Sequence, residues 1–149
     1  MRTLGIDLGT RRVGLALSDE GGQFANALQV LQVSTPQQAT AEVLKVIKKE
    51  DVTRIVLGLP LNMDDSTGPA ARLVLTWGAE LAKQSGLPLI YVDERLSSFD
   101  AEQHLAERRR GGEKMTRGMK KERLDAIAAA GFLQAFLDGR LTPIEPKAK

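Results

Sequence analysis

"RTLGIDLGTRRVGLALSD", residues 2–19, contains two apolar-rich runs separated by a polar turn around Thr10 and Arg11. Apolar runs joined by a short polar turn predict a pair of antiparallel strands. The next run, "QFANALQVLQV" at 23–33, follows a Gly-Gly pair and alternates loosely, which predicts a third strand. The chain therefore begins with an antiparallel meander of three strands.

The remainder of the chain alternates between helical and strand patterns. "TPQQATAEVLKVIKKE" predicts a helix with Thr35 as its N-cap and Pro36 at the first helical position. Further predicted elements are a buried strand at 54–60, a helix over about 70–85, a strand at 87–94, a helix near 98–109 and a final amphipathic helix within 121–139. This order predicts an α/β fold: one domain over residues 1–140 with a mixed sheet of about five strands, three antiparallel first and then parallel, flanked by helices. Residues 141–149 are predicted to form a frayed C-terminal tail.

Composition limits the possible chemistry. The chain has 149 residues, 42% of them hydrophobic and 27% charged, as in an ordinary globular domain. Without an apolar run long enough for a membrane span, and without a signal-peptide pattern, the sequence predicts a cytoplasmic protein that does not bind membranes. The absence of cysteine excludes disulfides and thiolate zinc sites, and a single histidine, His104, argues against imidazole ligands. Any metal would be held by carboxylates, which favours magnesium or manganese.

One segment carries most of the positive charge. Residues 108–123, "RRRGGEKMTRGMKKER", contain eight Lys or Arg against two Glu, a net +6 in a chain whose formal net charge is +2. Such a concentration is typical of proteins that bind the phosphate backbone of nucleic acids. A solvated loop explains the same charge equally well.

Three acidic positions are not explained by local structure. Asp7 interrupts the first strand, Asp93 or Glu94 ends the strand at 87–94, and Asp125 lies in the last helix beside an apolar face. If they cluster, their mutual repulsion requires a divalent cation. Because side chains alternate along a strand, at most one of Asp93 and Glu94 joins Asp7, and periodicity does not select which.

Each of these acids also has a purely structural interpretation, and the sequence leaves these interpretations open. They are hydrogen bonding of Asp7 to backbone donors in the Gly9 turn, pairing of Asp93 or Glu94 with Arg95, and complementation of a positive helix N-terminus by Asp125.

Four blocks together resemble the signature blocks of the YqgF family, also called RuvX. The blocks are "GIDLGTRRVGLALSD", "VLGLPLNMDDSTGPAA", "VDERLSSFDAE" and "DAIAAAGFLQAFLD". The resemblance extends over about residues 3–138. It implies a ribonuclease-H-like fold related to the RuvC Holliday junction resolvases; members of the family are described as pre-16S rRNA nucleases and as resolvases.

The resemblance implies a hydrolase, a metal-dependent endonuclease that cleaves phosphodiester bonds of structured nucleic acid with two Mg²⁺ or Mn²⁺ ions. Its catalytic, metal-binding acids would be Asp7, Glu94 and Asp125, which selects Glu94 over its neighbour. RuvC resolvases carry a second acid one turn later in the last helix, where this chain has Ala128. A fourth donor would then be Asp19 or a water molecule.

The expected substrate is the 5′ end of pre-16S rRNA in ribosome biogenesis, ahead of a Holliday junction in DNA recombination and repair. The protein would act as a monomer or weak homodimer. The residues expected to hold the nucleic acid are Arg12, Asn62, Ser66, Arg95, Arg108, Arg109, Arg110, Lys114, Arg117, Lys120 and Lys121. For Asn62 and Ser66, an ordinary connection with turn-forming residues is an equal alternative.

Two other function classes remain as alternatives. "GIDLGT" at 5–10 is also similar to the first phosphate-binding motif of the actin, Hsp70 and sugar-kinase superfamily. Those proteins need two lobes and a second phosphate loop, and these 149 residues provide neither, which argues against an ATPase or kinase. A non-catalytic RNA-binding module is the other alternative.

Overall fold

Five strands and three helices make up the part of the chain that the computed structural model describes, residues 2–62, 64, 66–94 and 117–144, with side chains from 124 onward in the last range. In chain order they are β1 (Thr3–Leu8), β2 (Arg12–Ser18), β3 (Ala25–Gln32), α1 (Pro36–Lys49), β4 (Arg54–Leu59), α2 (Pro69–Ser85), β5 (Leu89–Asp93) and α3 (Arg117–Leu137).

The strands form a single mixed sheet in the order β3-β2-β1-β4-β5. β1 pairs antiparallel with β2, and β2 pairs antiparallel with β3. β4 is parallel to β1, and β5 is parallel to β4. The predicted antiparallel meander followed by parallel strands is therefore confirmed, and β1 is the central strand.

One face of the sheet is covered by α1 and α2. Large side chains from the strands, among them Leu4, Leu15 and Leu57, form a buried cluster with side chains of both helices. Trp77 of α2 is part of this cluster, and its Nε1 donates a hydrogen bond to the carbonyl oxygen of Pro36 at 3.1 Å. This face supplies the main hydrophobic core, because burial of such side chains is the dominant stabilising term.

The opposite face is covered by α3 and carries glycines among its apolar residues. A Cβ built at Gly5 would lie 3.0 Å from the Cβ of Leu133, and one at Gly14 would overlap the carbonyl oxygen of Asp125. The backbone of α3 therefore lies directly on β1 and β2. Gln134 of α3 fixes the same contact farther along, since its Oε1 accepts from the backbone N–H of Ala25 at 2.8 Å.

The ends of α1 and α2 follow the sequence signals. The Oγ1 of Thr35 accepts a hydrogen bond from the backbone N–H of Gln38 at 3.0 Å, which confirms the predicted N-cap. α2 ends at Gly86, whose φ of 71° is a left-handed conformation that glycine adopts without strain.

The start of α3 and the C-terminal tail differ from the sequence predictions, and one predicted helix is not tested by the structure. α3 begins at Arg117, within the basic segment and ahead of the predicted 121–139 stretch, because the charged first turns have no apolar periodicity to mark a start. The tail is not frayed up to residue 144, since Ile144 forms a bridge with Tyr91 and its N–H donates to the Tyr91 carbonyl at 2.7 Å. The helix predicted near 98–109 lies outside the described residues.

Among the described residues, none of the helices combines the length and apolar composition that a bilayer crossing requires.

Substitution of Gly14 by alanine should destabilise the protein by about 1–3 kcal/mol, because the added methyl group must displace the α3 backbone. Urea unfolding measures the change. The control is Gly21→Ala, in a turn where a Cβ would meet only Asp19 Oδ2 at 3.8 Å; its effect should stay within about 0.5 kcal/mol. Equal unfolding midpoints for the two variants would contradict the close contact.

Candidate active site

Asp7 lies near the end of the central strand, on the face covered by α3. Residues two apart on a strand share a face, and Gly5 faces Leu133 of α3, so Asp7 points to the same side. Its direct neighbour on β2 is Gly14. Because Gly14 has no side chain, α3 can approach the carboxylate of Asp7 from above the sheet.

Glu94 reaches Asp7 by passing over β4. A Cβ at Gly58 of β4 would lie 3.0 Å from both the Cβ and the Oε2 of Glu94, so the glycine provides the space for this side chain. A side-chain hydrogen bond joins Glu94 to Asp7. The structure thus brings Glu94, and not Asp93, to the central strand.

Burial places the two carboxyl groups under electrostatic strain. Burial raises the pKa of Asp7 from 3.8 to about 6, against the opposing effect of the Glu94 hydrogen bond. The pKa of Glu94 rises from 4.5 to about 8, first because of burial and then because of the negative charge of Asp7. Without a cation between them, the two carboxyl groups therefore retain one proton near neutral pH. Glu94 carries this proton and donates it to Asp7 in a hydrogen bond.

Asp125 is the third acid of this site. Its Oδ2 lies 2.9 Å from Nε of Arg12, the first residue of β2. Both residues line an open cleft of about 420 Å³, together with Asp7, Gly9, Thr10, Arg11 and Gln32. The helix N-terminus interpretation of Asp125 is wrong, because α3 starts eight residues earlier and the helix dipole acts mainly within the first turn.

Two other sequence interpretations are also settled by the geometry. The backbone N–H of Gly9 donates to the carbonyl oxygen of Arg12 at 2.8 Å, so the turn does not use Asp7 in that role. Asp19 is not a fourth ligand: its Oδ1 accepts from the backbone N–H groups of Gln23 and Phe24, in the turn after β2. That turn lies at the opposite end of the sheet from Asp7, because the strand pairing sets Leu17 beside Leu4. The alternative donor Asp19 is therefore wrong.

The donor chemistry of the site fits a hard divalent cation. Asp7 and Glu94 offer closely spaced oxygen atoms whose repulsion a cation would relieve in place of the shared proton. Among the described residues, no three His, Asp or Glu side chains are already gathered closely enough to hold a metal ion. Oδ2 of Asp125 is instead in contact with Arg12, so in a three-carboxylate site Arg12 and the cation would share this carboxylate.

The predicted phosphate-binding residues are only partly brought to the cleft. Arg12 lines it, whereas Asn62 and Ser66 close their own turn: Asn62 Nδ2 donates to Ser66 Oγ at 2.9 Å. The structure therefore agrees with the alternative prediction, in which Asn62 and Ser66 are turn-forming residues. Arg117, Lys120 and Lys121 lie on the first turns of α3, with undescribed side chains; Arg95, Arg108, Arg109, Arg110 and Lys114 lie outside the described residues.

Sequence reasoning missed Gly14 and Gly58, the two glycines that give Asp125 and Glu94 access to the central strand. A signal was present, because a glycine inside an apolar strand often marks the close approach of another segment. It also missed three cleft residues: Thr10 and Arg11, in the turn between β1 and β2, and Gln32, which the pairing of β2 with β3 places beside Arg12.

A family model named RuvX, described as a Holliday junction resolvase, matches residues 1–139. The chain belongs to the RuvX family. A RuvX relative from Anaeromyxobacter sp. (strain Fw109-5) is 43% identical over 140 residues, covering 94% of this chain and 98% of the relative. One from Caldanaerobacter subterraneus subsp. tengcongensis is 34% identical over 140 residues with the same coverage. Both are named "Putative pre-16S rRNA nuclease".

Solved structures support the fold of this RuvX chain. Thermus thermophilus RuvC in complex with a Holliday junction substrate aligns with a TM-score of 0.62 and 19% identity, covering 97% of this chain and 99% of that one. A second Thermus thermophilus RuvC structure aligns with a TM-score of 0.60. The family resemblance and the ribonuclease-H-like fold expected from the sequence are both confirmed.

The raised pKa values predict how the stability of the metal-free protein depends on pH. The folded state binds more protons than the unfolded state between the ordinary and raised pKa values of Asp7 and Glu94. The stabilisation is therefore complete below the ordinary values and is lost as the pH rises through about 6 and about 8. We expect the free energy of unfolding, measured by urea unfolding in chelator, to fall by several kcal/mol over this range, since one pKa unit corresponds to about 1.4 kcal/mol.

Glu94→Gln should flatten this pH dependence, and saturating Mg²⁺ should raise the stability of the wild type at the alkaline end. Glu80→Gln, which removes an exposed carboxylate from α2, is the control and should keep the wild-type slope. A Glu94→Gln slope equal to that of Glu80→Gln would refute the shared proton.

Proposed function

We propose that this chain is a metal-dependent endonuclease that hydrolyses phosphodiester bonds of structured nucleic acid through Asp7, Glu94 and Asp125. The observation that carries the proposal is the partly buried, hydrogen-bonded pair of Asp7 and Glu94, with Asp125 on the same cleft as Asp7. Such a concentration of carboxylates with raised pKa values is costly unless it serves a charged ligand. The nuclease names of the close relatives agree with this function.

The three acids would have distinct roles. Asp7, hydrogen-bonded to Glu94 and close enough to Asp125 for that charge to raise its pKa, would contact both of two Mg²⁺ or Mn²⁺ ions. Glu94 and Asp125 would each complete one coordination sphere. Bound ions of this kind supply a deprotonated water as nucleophile and neutralise the leaving oxygen. Release of the proton held between Asp7 and Glu94 would accompany loading of the site.

The proposed substrate is the 5′ end of pre-16S rRNA, processed during ribosome biogenesis in the cytoplasm by a single-domain monomer or weak homodimer. The names of the relatives support the rRNA substrate. Ala128 of α3 also favours the rRNA over a Holliday junction as the substrate. It is buried and has no side-chain oxygen atom at the position where RuvC resolvases carry a further acid. A water molecule would then be the remaining donor.

A Holliday junction is the second candidate substrate, favoured by the description of the family. Both substrates would be held through their phosphates. The basic segment at 108–123 would supply most of the charge, and Arg12 and Arg95 would act beside the cleft. Phosphate contacts of this kind position the strands without reading the sequence.

Cleavage of two labelled substrates, a pre-16S rRNA 5′ leader and a four-way DNA junction, tests the proposal. With Mg²⁺ or Mn²⁺ the wild type should cut the rRNA leader faster. Asp7→Asn should lower the rate by about 1,000-fold, because the substitution removes a ligand of both ions. Glu94→Gln and Asp125→Asn should lower it by about 100-fold or more.

Asp93→Asn is the matched control, since Asp93 is the neighbouring acid on the opposite face of β5. It should keep most of the wild-type rate. Undiminished cleavage by Asp7→Asn, or an equal loss in Asp93→Asn and Glu94→Gln, would contradict the assignment. Binding of both substrates without cleavage by any variant would favour the RNA-binding module instead.

A further inference from the structure

The ion pair between Arg12 and Asp125 occupies one of the three acids assigned to the metal. Nε of Arg12 lies 2.9 Å from Oδ2 of Asp125, on the wall of the cleft that also contains Asp7. A guanidinium in contact with a carboxylate lowers the affinity of that carboxylate for a divalent cation, since the two positive charges repel each other. Arg12 and a metal ion therefore compete for Asp125.

We infer that Arg12 couples nucleic-acid binding to metal binding: a backbone phosphate entering the cleft takes the guanidinium from Asp125 and so releases this carboxylate to the cation. The inference rests on the proposed nuclease function and adds a positioning role for Arg12. In the absence of nucleic acid, the ion pair lowers the affinity of the site for metal.

The energetics of the ion pair suit such an exchange. The side chains of Arg12 and Asp125 are 36% and 29% exposed. Ion pairs this accessible contribute at most about fivefold to an equilibrium constant. A guanidinium donates well to phosphate oxygens, often through two parallel hydrogen bonds. A phosphate is therefore a competitive partner for Arg12.

The backbone around Arg12 is fixed, so the exchange requires only a side-chain movement. The carbonyl oxygen of Arg12 accepts from the N–H of Gly9, and Arg12 pairs with Gln32 in the antiparallel ladder of β2 and β3. The cleft of about 420 Å³ is large enough for a phosphodiester group. Arg12 thus lies within reach of Asp125 on one side and of an entering phosphate on the other.

Thermodynamic reciprocity follows from this competition. If nucleic acid releases Asp125 and thereby tightens metal binding, metal tightens nucleic-acid binding by the same factor. Removal of the Arg12 side chain should therefore raise metal affinity in the free protein and reduce the further gain that nucleic acid produces.

Calorimetric titration of Mn²⁺ into the protein without nucleic acid tests whether Arg12 competes with the metal. Arg12→Gln should bind Mn²⁺ about 3- to 5-fold more tightly than the wild type, since the competing ion pair is gone. Arg11→Gln is the matched control, because it removes the same charge from the same cleft and leaves the Arg12–Asp125 pair intact. Its Mn²⁺ affinity should change by less than about twofold.

A double-mutant cycle separates the ion pair from a general effect of charge. In an Asp125→Asn background the gain produced by Arg12→Gln should disappear, whereas an effect of charge alone would persist. A short RNA hairpin with cleavage-resistant phosphorothioate linkages is the nucleic-acid probe. It should tighten Mn²⁺ binding more in the wild type than in Arg12→Gln. Thermal unfolding confirms that each variant is folded.

The outcomes distinguish this inference from the proposed function. Unchanged or weaker Mn²⁺ binding by Arg12→Gln, or an equal gain in the Asp125→Asn background, would overturn the coupling role. The nuclease would still stand on the loss of cleavage in Asp7→Asn. No Mn²⁺ binding by the wild type, with or without the hairpin, would overturn both.

Discussion

The contact between the backbone of α3 and the glycine-bearing face of the sheet determines where the acids meet. An alanine at position 14 would overlap the carbonyl oxygen of Asp125, so only glycine allows the helix to lie this close to β2. Asp7 is the direct neighbour of Gly14, and the helix therefore presents Asp125 beside the central strand. Gly58 gives Glu94 the corresponding access from the other side. The site therefore depends on the glycines at positions 14 and 58 as much as on the acids themselves.

This packing sets two opposing forces against each other. The large side chains on the α1 and α2 face provide a deep hydrophobic core, while the α3 face brings carboxyl groups together at the edge of a smaller one. Burial of like charges is unfavourable, and the pKa values of Asp7 and Glu94 rise in response. The hydrophobic core on one face of the sheet thus offsets the unfavourable burial of carboxyl groups on the other face. Such unfavourable burial is common where proteins bind charged ligands.

The sequence predicted the sheet well because its signals are local. Apolar runs, the Thr35–Pro36 helix start and the glycine after α2 each act within a few residues. The site was harder, since alternation along β5 is compatible with either Asp93 or Glu94. The decision depends on Gly58 lying on the neighbouring strand, with Val92 as its partner in the ladder.

The partner of Asp125 could not be predicted from the sequence. The ion pair between Arg12 and Asp125 joins the start of β2 to a helix more than a hundred residues later. Neither the turn that engages Asn62 and Ser66 nor the start of α3 in a charged stretch has a periodic signature. These features follow from tertiary packing and side-chain geometry, which composition and spacing do not encode.

The bridge between Ile144 and Tyr91 has a consequence for self-association. Among the strands that the structure describes, β5 is the outermost on its side of the sheet, and an outer strand presents backbone groups that can pair with another molecule. The backbone N–H of Ile144 donates to the carbonyl oxygen of Tyr91, so the segment after α3 covers part of this strand edge. The hydrogen bond from Ile144 therefore leaves one carbonyl group fewer on β5 for pairing with a strand of a second molecule.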